Sequence, residues 1–429
     1  MVYSHIFYCQ AYIALKSFRE GYYIKPDPRD EGRTTVDSDH YLRPVWAEID
    51  LDNLAYNVRQ IRDLVGNRVK IMGVVKGDAY GMGITGVIDT LIEQGIDMFG
   101  AALLDEALVI RKREKTIPIL VFGYTPFEYS DLLVKYKINQ TVYCKEQAVS
   151  ISMAAKRLHK KARIHVEIDT GMGRLGFQPS DKSIKTIMEI AGMPYLGLEG
   201  IYTHCPLSNE RNEDSIKFTE SQYQEFCLMV KTLEDHGIFI PVKHVCNSMG
   251  TLYYKHMHLD MVRAGIILYG SYSQFQNVLP LKPVMSLKAR IGSVKKLGPG
   301  KNVSYGRTFT TQRETAVATL PLGYGDGFNR LLTNRGEVLV KGRRAPVIGT
   351  ICMDQCMIDI TDIKGECSIG EEVVILGRQG NEEITIEEIS KKICGFINYE
   401  YLVIIHRRVP RVYMKNNKPV QVINNFLDF

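Results

Sequence analysis

From Val69 onward, short apolar runs rich in Val and Ile alternate with longer amphipathic segments. The runs that predict strands cover residues 69–75, 98–104, 117–123, 138–142, 163–168, 197–203, 242–246 and 261–269. Helix-compatible stretches lie between them at 85–93, 106–113, 145–158, 181–191 and 215–236. Several of these begin beside an Asp, Ser or Thr that can cap a helix N-terminus. Strand–helix alternation repeated eight times over about 200 residues predicts an α/β fold, a (β/α)8 barrel rather than an open doubly wound sheet. No G-x-G-x-x-G follows the first of these strands, which argues against a dinucleotide-binding domain.

Beyond Leu281 the texture changes. Strand-like runs at 285–296, 315–320, 338–341, 357–360, 372–376 and 402–408 are separated by Gly, Pro, Asn and Asp, with one helical window near 384–391. The expected organisation is therefore an N-terminal extension over 1–43, a barrel over 44–282 and a mostly-β domain over 283–429. The extension joins an aromatic, helix-compatible piece (5–23) to a polar linker (26–32) and lacks the h-region and cleavage site of a secretory signal.

Composition narrows the class without deciding it. The 429 residues are 45% hydrophobic and carry 54 Lys+Arg against 48 Asp+Glu, a net charge of +6. No run of about 18 apolar residues exists, so no membrane span is expected. The positive charge is dispersed, with short clusters at Lys341-Gly342-Arg343-Arg344 and His406-Arg407-Arg408, which gives no support to a nucleic-acid or membrane partner. Nine cysteines scattered from Cys9 to Cys394 without a C-x-x-C pair read as reduced thiols, and a cytoplasmic location is expected. Cys352 with Cys356, and His256 with His258, lack the further ligands of a zinc site, so no metal is expected.

In such a barrel, chemistry belongs at the carboxyl ends of the strands. The first run ends at Lys76, the fifth leads into Asp169-Thr170-Gly171-Met172-Gly173-Arg174, and the sixth ends at Thr203-His204. The seventh ends at Asn247-Ser248, and the eighth contains Arg263-Ala264-Gly265-Ile266. Cations, hydroxyls and glycine-exposed amides converging on one mouth imply an anionic ligand, a phosphate best of all. Lys76 taken alone reads first as a surface lysine just past a strand. On a barrel floor beside other cations it becomes an amine of lowered pKa, nucleophilic toward an aldehyde. The simplest compound with both an aldehyde and a phosphate is pyridoxal 5'-phosphate.

The same residues carry a family resemblance. Val75-Lys76-Gly77-Asp78-Ala79-Tyr80-Gly81, Asp169-Thr170-Gly171-Met172-Gly173-Arg174, Val262-Arg263-Ala264-Gly265, Ser304-Tyr305-Gly306, Pro321-Leu322-Gly323-Tyr324-Gly325-Asp326-Gly327 and Cys352-Met353-Asp354-Gln355 resemble the signature blocks of bacterial alanine racemase. They run in the expected order from about Pro44 to the C-terminus. The resemblance implies a fold-type III pyridoxal-phosphate enzyme acting as a homodimer whose sites are shared between subunits. It implies that Lys76 carries the cofactor and later serves as one acid/base. Tyr80, Ser248, the amides of Gly265 and Ile266, and Tyr399 would hold the phosphate. Arg263 would face the pyridine nitrogen, and Tyr305 from the second subunit would be the opposite acid/base. Arg174 and the partner's Met353 would meet the substrate carboxylate, with Tyr324 and Asp354 at the same end near the entrance.

These residue types suit racemisation. Inverting an α-carbon removes a proton from one face of a planar carbanion and returns one to the other, which calls for two opposed groups. A tyrosine, near pKa 10 when free, needs help, and His204 linked to Arg263 is the candidate. A guanidinium that never deprotonates would keep the ring nitrogen unprotonated and the carbanion short-lived. Each feature alone also has a plainer reading: a satisfied histidine, a structural arginine, a strand tyrosine, a Gly-Tyr-Gly-Asp-Gly turn.

Departures from the family pattern are Asp78 and Met82, where Asn and His are usual, Cys205-Pro206-Leu207 after His204, and Glu167. The last stands seven residues before Arg174, where many members carry a carboxylated lysine. Its carboxylate can orient Arg174 by charge-assisted pairing. Tyr399 would leave room for a methyl and crowd larger side chains. The reading is an alanine racemase supplying D-alanine for peptidoglycan. Its rivals are a serine or broader-specificity racemase of the same fold, a fold-type III decarboxylase, and a non-catalytic pyridoxal-phosphate-binding protein.

Overall fold

The computed structural model describes residues 43–270, 278–393 and 397–426. The extension assigned to 1–43 thus lies, up to residue 42, outside the described residues, as do Cys9 and Cys394.

Eight parallel strands form one sheet: β2 (Lys70–Val74), β3 (Met98–Ala101), β4 (Ile119–Val121), β5 (Asn139–Val142), β6 (Ala162–Glu167), β7 (Leu196–Tyr202), β8 (Val242–His244) and β9 (Met261–Ala264). The order runs β8-β7-β6-β5-β4-β3-β2-β9. At the mouth the Arg263 N–H donates to the Cys246 carbonyl at 3.0 Å, so the two end strands meet and the barrel is nearly closed. Helix α1 (Leu51–Val65) precedes β2, and one helix follows each of β2–β8: α2 (Ile84–Glu93), α3 (Leu104–Arg113), α4 (Ser130–Lys135), α5 (Lys145–Arg157), α6 (Asp181–Ala191), α7 (Glu213–Asp235) and α8 (Ser248–Tyr253). Ser180, Asn212 and Asn247 each accept a backbone N–H in the first turn of the helix they precede, which fixes where α6, α7 and α8 begin.

The strand runs read from the sequence land on β2–β9. The eighth stops early, because Ile266–Tyr269 turns into a 3-10 helix. Strand β1 (Val45–Asp50), absent from the pattern of alternation, belongs to the other sheet, where it pairs antiparallel with β10 (Met285–Arg290) and parallel with β20 (Arg411–Lys415).

That second sheet is mostly antiparallel and holds eleven strands. Besides β1, β10 and β20 it contains β11 (Ser293–Leu297), β14 (Thr315–Leu320), β15 (Glu337–Val340), β16 (Arg343–Ile348), β17 (Cys356–Asp359), β18 (Glu372–Gln379), β19 (Glu382–Ile384) and β21 (Lys418–Ile423). The hairpin of β12 (Asn302–Val303) and β13 (Phe309–Thr310) stands apart from it. Two expectations fail in this region. The run 285–296 is two strands in different places of the sheet. The run 402–408 is not a strand: helix α10 (Asn398–Ile404) follows α9 (Ile386–Lys392) there and then passes into a loop. An apolar run this short fits a buried helix as well as a strand. Burial of Asn398, Tyr401 and Leu402, at helical spacing, decides for the helix.

Candidate active site

Strand β2 delivers Lys76 to the carboxyl end of the barrel. Immediately past it, Gly77, Asp78, Ala79 and Tyr80 have φ of +63°, +54°, +56° and +54°, a left-handed turn in which three residues carry a Cβ. Such backbone is held only where surroundings over-determine it. Here Glu106 Oε1 accepts the Asp78 N–H (3.2 Å), and Asp78 Oδ1 accepts the Ile84 N–H (2.8 Å). From the other side Arg411 Nε donates to the Gly81 carbonyl (3.1 Å) and the Tyr413 hydroxyl to that of Met82 (2.9 Å). The lysine loop is thus braced by the barrel and by β20 together.

Lys76, Tyr80, Arg174, His204, Ser248, Arg263 and Gly265 line a single cavity of about 270 Å³. Burial lowers the Lys76 amine below the usual lysine range; Arg174 and Arg263 push it further down, and Glu106 partly opposes them. At one end the Ser248 hydroxyl accepts the Gly265 N–H (2.9 Å). A Cβ at Gly265 would stand 2.7 Å from the Tyr80 hydroxyl, so only glycine leaves this cradle open. Ile266 is buried directly behind it, and the Tyr399 ring of α10 meets Tyr80 edge-on at 6.2 Å.

Arg263 is fully enclosed. Its terminal nitrogens donate to the carbonyls of Thr203, His244 and Val245 and approach His244 Nδ1 (3.1 Å) and His204 Nδ1 (3.3 Å). Because an arginine can only donate, His244 must keep its proton on Nε2, which faces His165 Nδ1 at 3.0 Å. His165 then bears its proton on Nε2, for which no acceptor exists among the described residues. Burial, with Arg263 beside them, holds His204 and His244 well below the ordinary imidazole range; His165 is pushed down to about 3 by burial, Arg263 and Lys70. The two inner rings meet across β7 because Gly200 lies between them: a Cβ there would be 2.3 Å from His165 Nδ1.

Tyr202 stacks on His244 (4.7 Å) and donates its hydroxyl to Glu167 Oε2 (3.0 Å), while Glu167 Oε1 lies 3.5 Å from Arg174. Burial raises the Glu167 carboxyl, with Arg174 pulling against it. The expected pairing of Glu167 with Arg174 is present.

Tyr305, Tyr324, Met353 and Asp354 are not in that cavity. They line a separate, open one of about 560 Å³ in the β domain, where Tyr305 is 74% exposed and Met353 54%. The Gly323–Gly327 turn beside them is anchored by buried Asp326, which accepts the Gly323 N–H (3.0 Å) and pairs with Arg43 and Arg408 (2.6 Å each). Arg408 also reaches Asp354 at 2.8 Å.

Sequence reading missed Glu106, Tyr202, His165, His244 and the clamp on Asp326. A glutamate in the first turn of α3 looks like an ordinary partner of the helix dipole. The two histidines carried a usable signal: on barrel strands both faces are covered, so a histidine inside an apolar run must find a polar partner within the core.

Among the described residues no His, Cys, Asp and Glu group is arranged to hold a metal, and no helix is long and apolar enough to cross a membrane. Residues 49–273 match the family model for the alanine racemase N-terminal domain, and 284–413 that for the C-terminal domain. Alanine racemase from Clostridium novyi is 42% identical over 387 residues, 90% of this chain and 99% of that one. The Methanococcus maripaludis enzyme is 43% identical over 374 residues, 86% of this chain and 99% of its own. Among solved structures, alanine racemase of Clostridium difficile 630 superposes with a TM-score of 0.85 at 42% identity, covering 90% of this chain and 99% of that one. That of Bacillus anthracis with bound L-Ala-P gives 0.84 at 35%, covering 90% and 99%. With both halves matched and the relatives spanned almost end to end, the chain belongs to the alanine racemase family.

Proposed function

We propose that this protein interconverts L-alanine and D-alanine in the cytoplasm, supplying D-alanine for peptidoglycan, with pyridoxal 5'-phosphate held at the barrel mouth. The observation that carries the reading is a buried amine of lowered pKa, Lys76, sharing one cavity with a hydroxyl and amide cradle at Tyr80, Ser248 and Gly265. The cradle left open by Gly265 fits a phosphate, and Lys76 fits an aldehyde. Bound there, the cofactor supplies an electron sink that makes the α-hydrogen of an amino acid labile.

The chain's own residues do the rest. Tyr80, Ser248, the amides of Gly265 and Ile266, and Tyr399 hold the phosphate. Arg263, with its terminal nitrogens engaged by carbonyls and imidazoles, can only donate, so it would favour the unprotonated form of the cofactor's ring nitrogen. Lys76 Nζ takes or returns the proton on one face of the α-carbon. On the other face the Tyr305 hydroxyl of a second copy does so, assisted by His204, which burial and then Arg263 keep neutral. Arg174, oriented by Glu167, and Met353 of the second copy meet the substrate carboxylate; Tyr324 and Asp354 shape the entrance. Exposure of Tyr305 and Met353 in one chain supports a homodimer with shared sites.

The test is D-alanine formation from L-alanine by the purified protein across a panel of amino acids, with Lys76→Ala as control. Turnover of alanine lost in the variant is expected. Carbon dioxide release, or cofactor binding without turnover, would overturn the assignment, and serine turned over faster than alanine would move it to a serine racemase.

A further inference from the structure

At the end of the barrel opposite the mouth, the amino-terminal ends of β4, β5 and β6 border a second cleft, of about 450 Å³. Of its thirteen lining residues six are Lys or Arg and none is Asp or Glu. In a chain whose net charge is only +6, that concentration raises the folded state's electrostatic energy unless an anion offsets it.

The cations fall into two sets. Arg111 is buried in the wall, donating to the carbonyls of Glu114, Tyr136 and Lys137 (3.0–3.2 Å), and Lys115 donates to the Arg111 carbonyl (3.1 Å). These two are fixed in place. Lys137, Lys160 and Lys161 are exposed and make no ion pair or side-chain hydrogen bond among the described residues. Arg163 has, among the described residues, Glu199 at 3.7 Å. The Glu114 carboxylate, outside the lining, accepts from Thr116 and Ile117 and offsets part of the Arg111 charge. One neutral group points the same way. Asn139, which starts β5 and is 4% exposed, is part of the cleft lining, and its buried amide nitrogen has no acceptor among the described residues. A buried donor left unmade is destabilising, and a ligand oxygen drawn into the cleft would offer the missing acceptor.

We propose that this cleft is a second ligand site, for a small anion bearing two or more phosphates. Three unpaired ammonium groups around a fixed guanidinium match a polyvalent anion, and lysines bind phosphate as point charges without demanding one orientation. The cleft is concave, of small-ligand size, and has no aromatic residue in its lining, whereas single-stranded nucleic acid is taken up on aromatic platforms along an extended groove.

The experiment is calorimetric titration of inorganic pyrophosphate into the full-length, cofactor-loaded protein, with matched ionic strength throughout. Saturable binding at one site per chain is expected, weakened at least tenfold in Lys160→Glu/Lys161→Glu and in Asn139→Asp, with alanine turnover unchanged in both. Absence of saturable heat, undiminished binding in either variant, equal occupancy by sulfate, or tighter capture of an RNA oligonucleotide through the same lysines would each overturn the proposal.

Discussion

Glu106 accepts the backbone N–H of Asp78 at 3.2 Å, two residues beyond Lys76, while its other oxygen takes those of Ala102 (2.8 Å) and Leu103 (3.3 Å). One carboxylate therefore ties the strained lysine loop to the end of β3. Its charge also partly offsets the cations that depress the Lys76 amine.

Glu106→Gln should break this tie, because an amide nitrogen facing a backbone N–H replaces an acceptor by a donor. The expected loss is about 1–3 kcal/mol, read as a lower unfolding midpoint, together with slower alanine turnover as the left-handed turn relaxes. A variant of parental stability and turnover would show that the loop is held by the β20 side alone.

The buried histidines make stability depend on pH. In water an imidazole titrates near 6.5, whereas burial, then Arg263 and Lys70, push His165 down to about 3 in the fold. Between these values the unfolded chain binds a proton that the folded one refuses. Stability is thus complete above about pH 7 and falls as pH drops, with His165 alone costing about 2 kcal/mol by pH 5. His244, shifted the same way, steepens the decline. Urea unfolding at about pH 7.5, 6 and 5 measures the slope. His165→Gln should flatten it, and an unchanged slope would assign the effect elsewhere.

Gly200→Ala tests the same pair by packing. A methyl at 2.3 Å from His165 Nδ1 must displace a fully buried ring. Overpacking of this kind costs about 1–3 kcal/mol, and separation of the two rings adds an unmade hydrogen bond. A midpoint within error of the parent would mean that the core yields at no cost.

Most of the barrel was legible because its strands are buried on both faces and several therefore appear as unbroken apolar runs, as at 98–104 and 117–123. Strand β1 was not, since a single strand that joins a sheet from more than two hundred residues away leaves no local pattern. The 402–408 run failed because its apolar residues pack as a helix against the lysine loop, a tertiary choice invisible locally. Within the site, Lys76, His204, Ser248, Arg263 and Gly265 announce themselves by ending strands. Glu106, His165 and His244 act through partners that only the closed barrel supplies.

Glu167→Gln should separate binding from chemistry. The Tyr202 hydroxyl keeps an acceptor in the amide, but Arg174 loses the carboxylate it pairs with. Since Arg174 is half exposed, the pair is worth little, and KM for alanine should rise about threefold to tenfold with kcat nearly unchanged. A fall in kcat at constant KM would place Glu167 closer to the reacting atoms than the proposed role allows.

Sharing of sites can be tested without a complex structure. Tyr305 stands 74% exposed in a cavity that contains none of the barrel-mouth residues, so one chain alone cannot set it opposite Lys76. If the second copy provides it, a dimer of one Lys76→Ala and one Tyr305→Phe subunit holds one site with both defects and one with neither. Each variant alone should be nearly inactive, and the isolated mixed dimer should recover about half the parental turnover, as two-fold symmetry requires. Purified mixed dimers, separated by differential tags, give this number directly. Recovery near zero would mean that lysine and tyrosine act within one chain, through a rearrangement that brings the β domain over its own barrel.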